Sequence, residues 1–308
     1  MSDQRRIDDF FVCVGAQKAG TTWLARMLAR HPDLFMTPVK EIHYFDHIAG
    51  ITRHLDDRRR RARRRKHYQR LLTQWHRWPE LRGQGEWYRG YLSDPIDDDW
   101  YASLFCDRGE KRFAGEATPE YALIGAEGFA HMKRLAPDMR VLYILRNPVE
   151  RAWSQLQHVC RREGLRTDGG NVDALISRAN APGFGAHGDY LAALDGLEQV
   201  FDPDQLQIEF FEKIHEDREQ ALGRICSFVG LAYNPAWFGE MGQRYNRSKP
   251  AAMPPAIRAH FANAYADVIR GVEARLGSVP DSWLADPAEM SDGVELDGRP
   301  DARAAARS

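Results

Sequence analysis

The chain has 308 residues, 43% of them hydrophobic, and 43 Lys and Arg against 44 Asp and Glu leave a formal net charge of −1. That length and apolar content suit one large globular domain with a sizeable core, and the balanced charge argues against general nucleic-acid binding. Four cysteines (Cys13, Cys106, Cys160, Cys226) stand far apart with no CxxC pair and no histidine at metal-ligand spacing, so neither a zinc site nor a disulfide framework is indicated.

Taken in chain order, the start MSDQRRIDDFF lacks a long apolar stretch, and no run anywhere approaches the ~18 apolar residues of a membrane span. A cytoplasmic protein without an anchor is therefore expected. Phe10 to Ala16 is a continuous apolar run rich in β-favouring residues, which predicts a strand buried on both faces. Thr21 to His31 places Trp23, Leu24, Met27 and Leu28 at helical spacing, and Pro32 ends the helix. Residues 53–99 are polar, charged and Trp-rich, and break the alternation; they are expected to form an insertion on the substrate side. Val141 to Leu145 and Leu206 to Phe211 predict further strands, followed by helices over Val149 to Arg162 and Lys213 to Val229. The pattern is that of an α/β protein with a mostly parallel sheet of about five strands flanked by helices. One domain is expected over residues 1–285, with 286–308 a disordered tail.

Between the first strand and the first helix lies Gly15-Ala-Gln-Lys-Ala-Gly20-Thr21-Thr22. It is close to the phosphate-loop pattern GxxxxGK[ST], except that Thr21 stands where the lysine belongs and Lys18 lies inside the loop. Glycine lets the backbone approach an anion, so that successive N–H groups and the helix N-terminus surround it. The displaced lysine argues against a nucleotide kinase, the nearest alternative enzyme, whose lysine reaches the β and γ phosphates from the usual position. Arg146, at the end of a predicted parallel strand, stands where α/β sheets bind ligands, and its guanidinium can grip a phosphate through two parallel hydrogen bonds. Ser154 follows two helical turns on.

These segments resemble those of the sulfotransferase family, which uses 3′-phosphoadenosine 5′-phosphosulfate as donor. Gln17 to Leu24 (QKAGTTWL) is similar to that family's 5′-phosphosulfate motif, and Arg146 to Ser154 (RNPVERAWS) to its 3′-phosphate motif. Glu41-Ile-His43-Tyr-Phe-Asp46 resembles the catalytic segment of the heparan-sulfate-type branch, and the likeness continues through Trp100-Tyr101 and Gly115 to Tyr121, spanning roughly Phe10 to Gly277. The resemblance implies a phosphate-loop-type fold and donor contacts from Lys18, Ala19, Gly20, Thr21, Thr22, Trp23, Arg146, Ser154 and Arg247. It also implies Glu41 as general base, with His43 the rival for that role and oriented by Asp46. Lys18 is then the group that neutralises charge on the leaving oxygen. No metal is expected. Where heparan-sulfate enzymes often carry a lysine, this chain has Ala117, which weakens the case for a polysulfated glycan acceptor.

Acceptors compatible with this reading are a small molecule, a lipid or a carbohydrate. Arg58 to Lys66 (RRRRARRRK) is almost wholly basic and is expected either as an exposed, solvated helix or as a contact with an anionic surface. Trp75, Trp78, Trp87 and Tyr88 offer stacking surfaces, or simply core. A non-catalytic polyanion- or membrane-binding module acting through the basic run is the alternative outside enzymes, and it leaves both phosphate motifs unexplained. The sequence does not define an oligomeric state.

Overall fold

The structure, a computed structural model, describes residues 6–73, 84–167, 170–239, 241–242 and 252–284. Five strands form one sheet: β1 (Phe10–Gly15), β2 (Leu34–Met36), β3 (Phe113–Ala117), β4 (Arg140–Leu145) and β5 (Leu206–Phe210), in the order β2-β3-β1-β4-β5. All four pairings are parallel, so the α/β class is as expected and the sheet carries no antiparallel strand among the described residues. β1 lies in the middle, every residue of it buried, because helices cover both faces and no position can be polar without losing water.

Two strands lacked a sequence signal. β2 is three residues long, and β3 (FAGEA) places Gly115 and Glu116 in its interior. Gly115 is required by close approach: a Cβ there would stand 2.9 Å from the Phe11 carbonyl oxygen. The helix predicted over Lys213 to Val229 is two helices, Phe211–Glu216 and Arg218–Val229. Asp217 interrupts the run and accepts a hydrogen bond from the Gln220 N–H as the cap of the second.

The chain winds from β1 through α1 (Thr21–Leu28) to β2 and β3 on one side, then returns past β1 to β4 and β5 on the other. The loops after β1 and β4 therefore open on one crevice at the carboxyl edge of the sheet, where the strand order reverses. Among the described residues, the stretch from 53 carries α3 (Asp57–Thr73) and two further helices, Gly85–Tyr91 and Asp98–Ser103, the last running past residue 99. Between β2 and α3 lies the short α2 (Tyr44–Ile48). Of the aromatic residues in this stretch, Tyr88 is buried and Trp87 is half-buried, its indole N–H donating to the Leu104 carbonyl. Trp75 and Trp78, Arg247 and the tail 286–308 lie outside the described residues.

Candidate active site

The loop after β1 turns sharply into α1. Gly20 caps the helix in the left-handed region (φ 84°), where its missing Cβ leaves room for the Phe211 ring, 3.1 Å from where that atom would sit. Lys18 also adopts a left-handed φ, 72°. Ala19 and Thr21 are buried, while Lys18, Gly20 and Thr22 are half-buried. Trp23 is nearly enclosed, with its indole N–H donating to the Met241 carbonyl at 3.1 Å and the Arg218 guanidinium 5.9 Å above its ring.

Arg146 leaves the end of β4 and donates to the Lys18 carbonyl at 2.9 Å, tying the two phosphate-type motifs together. Its guanidinium lies 4.6 Å from the Phe211 ring centroid, and its own carbonyl accepts from the Tyr190 hydroxyl at 2.7 Å. The next two residues explain the following helix (Pro148–Glu163): the Asn147 side chain accepts from the Val149 N–H at 3.0 Å, and Pro148 occupies the first turn. Ser154 sits half-buried on that helix. Burial, with the charges of Arg146 and Arg161 next, lowers the Lys18 pKa, while Glu150 and Glu212 lie close enough to act on Arg146. Lys18 and Arg146 thus meet in one crevice, an arrangement suited to an anion.

Glu41 and His43 are carried by the segment between β2 and α2, and both have positive φ, 66° and 64°. A buried carboxylate braces them. Glu116 of β3 is 1% exposed and accepts from the Ile42 N–H at 3.3 Å, Thr118 Oγ1 at 2.7 Å, Tyr121 Oη at 2.9 Å and the Tyr101 hydroxyl. The Tyr121 hydroxyl in turn accepts from the Tyr44 N–H at 3.1 Å. The backbone on either side of His43 is therefore held from β3. Burial pushes the Glu116 carboxyl up despite these donors.

His43, 2% exposed, directs Nδ1 at Asp46 Oδ2 (3.0 Å), with Nε2 3.8 Å from Glu41 Oε2. Asp46 also accepts from the Thr52 hydroxyl, while its Oδ1 is buried without a hydrogen-bond partner. Glu41 pairs with Lys40. Burial pushes the Glu41 carboxyl up, but Lys40, His43 and Arg63 together outweigh it and hold the pKa below the ordinary value.

Several members of the cluster were given no role by the sequence. Gln17 of the phosphate loop donates to Glu120 Oε1 at 3.2 Å, and Glu120 Oε2 lies 3.8 Å from His43 Nδ1. Glu120 thus joins the loop to the histidine, and burial raises its pKa. The His54 ring lies 4.1 Å from that of His43, and burial, followed by the charges of His43 and Arg59, lowers its pKa to about 4. His43, His54 and Glu120 each bring one potential ligand atom within 4.8 Å of the others, a set that could hold a divalent cation, although Asp46 already engages His43 Nδ1. From the basic run, Arg63 donates to the Glu41 carbonyl at 3.1 Å and the Tyr91 hydroxyl at 2.7 Å.

A central parallel sheet with a phosphate-type loop at its edge, linked through Gln17 and Glu120 to an acid–histidine cluster, is an arrangement suited to group transfer. Comparison with known proteins makes this specific. The model of the sulfotransferase family matches residues 10–235, and the chain belongs to that family and is a sulfotransferase. A sulfotransferase from Alicyclobacillus acidocaldarius is similar in fold, with 24% identity, 90% of this chain and 99% of that chain covered, and a TM-score of 0.61. The sulfotransferase domain from the curacin biosynthetic pathway matches with 16% identity, coverages of 82% and 83%, and a TM-score of 0.50. No curated protein matches the chain.

Proposed function

We propose that the protein moves a sulfuryl group from 3′-phosphoadenosine 5′-phosphosulfate to a hydroxyl or amine of an acceptor by in-line transfer. The observation that supports the donor assignment is the hydrogen bond from Arg146 to the Lys18 carbonyl, which brings the two phosphate-type motifs and their cations to one crevice. An anion bearing charge at both ends relieves the repulsion between those cations, with the phosphosulfate in the loop of Lys18 to Thr22 and the 3′-phosphate toward Arg146 and Ser154. Trp23 and Arg247 complete the proposed donor contacts.

In the transfer, the acceptor oxygen or nitrogen forms a bond to sulfur as the bond from sulfur to the bridging oxygen breaks. Glu41 takes the acceptor proton, and the Lys18 ammonium neutralises the charge left on the 5′-phosphate of the product, 3′-phosphoadenosine 5′-phosphate. His43, held by Asp46, stands beside Glu41 to position the acceptor. Glu41 is ionised at neutral pH and so free of the proton it would accept, and its place beside His43 supports it as that acceptor. Small molecules, carbohydrates and lipids fit this scheme as acceptors, in a single cytoplasmic domain ending near residue 285.

The test is transfer of labelled sulfate from the donor to a panel of phenols, sugars and lipids. Lys18→Ala should lower turnover by about 10²–10³-fold with the melting temperature unchanged. Transfer at the wild-type rate would remove Lys18 from the mechanism.

A further inference from the structure

The basic run divides into two faces once it is folded. Arg60, 2% exposed, turns inward to Asp57, Asp94 and the Ser93 carbonyl, and Arg63 turns inward to Glu41 and Tyr91. Arg58, Arg61, Arg65, Tyr68 and Leu72 follow one another at spacings of three and four, which puts them on a single stripe of α3, away from the anchored arginines. All five are exposed, Tyr68 by 53% and Leu72 by 82%. Among the described residues only six large hydrophobics are exposed; Tyr68 and Leu72 belong to the stripe, and Ile48 and Ile51 lie just before α3. Of the three arginines on the stripe, Arg61 pairs with Asp57, itself exposed.

We propose that this stripe of α3 docks on an anionic lipid surface. Charge complementarity favours such a partner, since arginines near the surface of an acidic membrane are each drawn to its headgroups. The apolar end separates a lipid surface from a soluble polyanion. A polyanion satisfies arginines but gives a largely exposed leucine nothing to enter, whereas the headgroup boundary takes guanidinium, tyrosine and leucine together. Two apolar side chains on an otherwise charged stripe are too few for the apolar centre of a stable protein interface. No described helix is long and apolar enough to cross a membrane, so the contact is peripheral. The docking stands on surface chemistry alone and is independent of the proposed transfer. Because Arg63 joins α3 to Glu41, docking also brings the candidate site near the lipid.

The experiment is sedimentation of the full chain with vesicles of phosphatidylcholine alone or mixed with phosphatidylglycerol, with nucleotide binding measured on the same variants as an independent readout. Wild type should pellet with the acidic vesicles, and raising the salt should weaken this. Replacing Arg58, Arg61 and Arg65 together with Ser should weaken binding on the order of 100-fold. Tyr68→Ser with Leu72→Ser should weaken it about ten-fold, and nucleotide binding should be unchanged in both variants because every changed residue is exposed. Failure to pellet with acidic vesicles overturns the proposal. Equal affinity for soluble polyglutamate with no effect of the Tyr68 and Leu72 changes also overturns it, in favour of a polyanion partner.

Discussion

Lys18, Glu41 and His43 are three of the four non-glycine residues with left-handed φ among those described, and the fourth is Asp9. Such geometry costs on the order of 1–3 kcal/mol per residue, so the surroundings must enforce it. For Glu41 and His43 the enforcement is visible in Glu116, Tyr121 and Arg63. The pH dependence follows from the same contacts. A carboxylate whose folded pKa is depressed stays ionised above its ordinary value, and its contribution is lost only as pH falls through the lower one. With Glu41 as base, the acid limb of kcat/KM should lie below about 4.3, the ordinary glutamate value. With Lys18 in its proposed role the ammonium must be protonated, so the alkaline limb should lie below the ordinary lysine value of about 10.4. A pH–rate profile measures both limbs; an acid limb near ~6.5, the ordinary histidine value, would contradict the Glu41 assignment.

At the level of elements, α3 braces the segment proposed to carry the chemistry as well as presenting a surface. Arg63→Ala removes two hydrogen bonds that fix the Glu41 carbonyl and Tyr91, so kcat should fall about ten-fold while nucleotide affinity is unchanged. Steady-state kinetics with calorimetric nucleotide titration separates the two quantities, and an unchanged kcat would mean that the brace does not reach the chemistry. The sequence showed α3 only as a block of charge. The spacing of Arg60 and Arg63 marks an inner face, but their partners, Asp94 and Tyr91, lie about thirty residues on and are brought there by folding. β1, β4 and β5 were legible as apolar or β-favouring runs. β2 and β3 were not, because three residues carry no periodicity and a glycine and a carboxylate inside β3 make sense only beside Phe11 and Tyr101.

Across the whole molecule, the strand order reverses beside β1, so the loops carrying Lys18 and Arg146 meet although 128 residues separate them. Their motifs were legible separately, as a glycine loop after a strand and an arginine at a strand end. Their meeting through a side chain-to-carbonyl hydrogen bond, and the linking of Gln17, Glu120 and His43, depend on the three-dimensional arrangement. The central claim is that this crevice takes a nucleotide phosphorylated at the 3′ position. A thermal-shift titration tests it, with 3′-phosphoadenosine 5′-phosphate, ATP, ADP and AMP run in parallel, because a ligand that binds only the native state raises stability as RT ln(1 + [L]/Kd). The account predicts a rise in melting temperature selective for the 3′-phosphorylated nucleotide; no rise, or an equal rise with ATP, would contradict it.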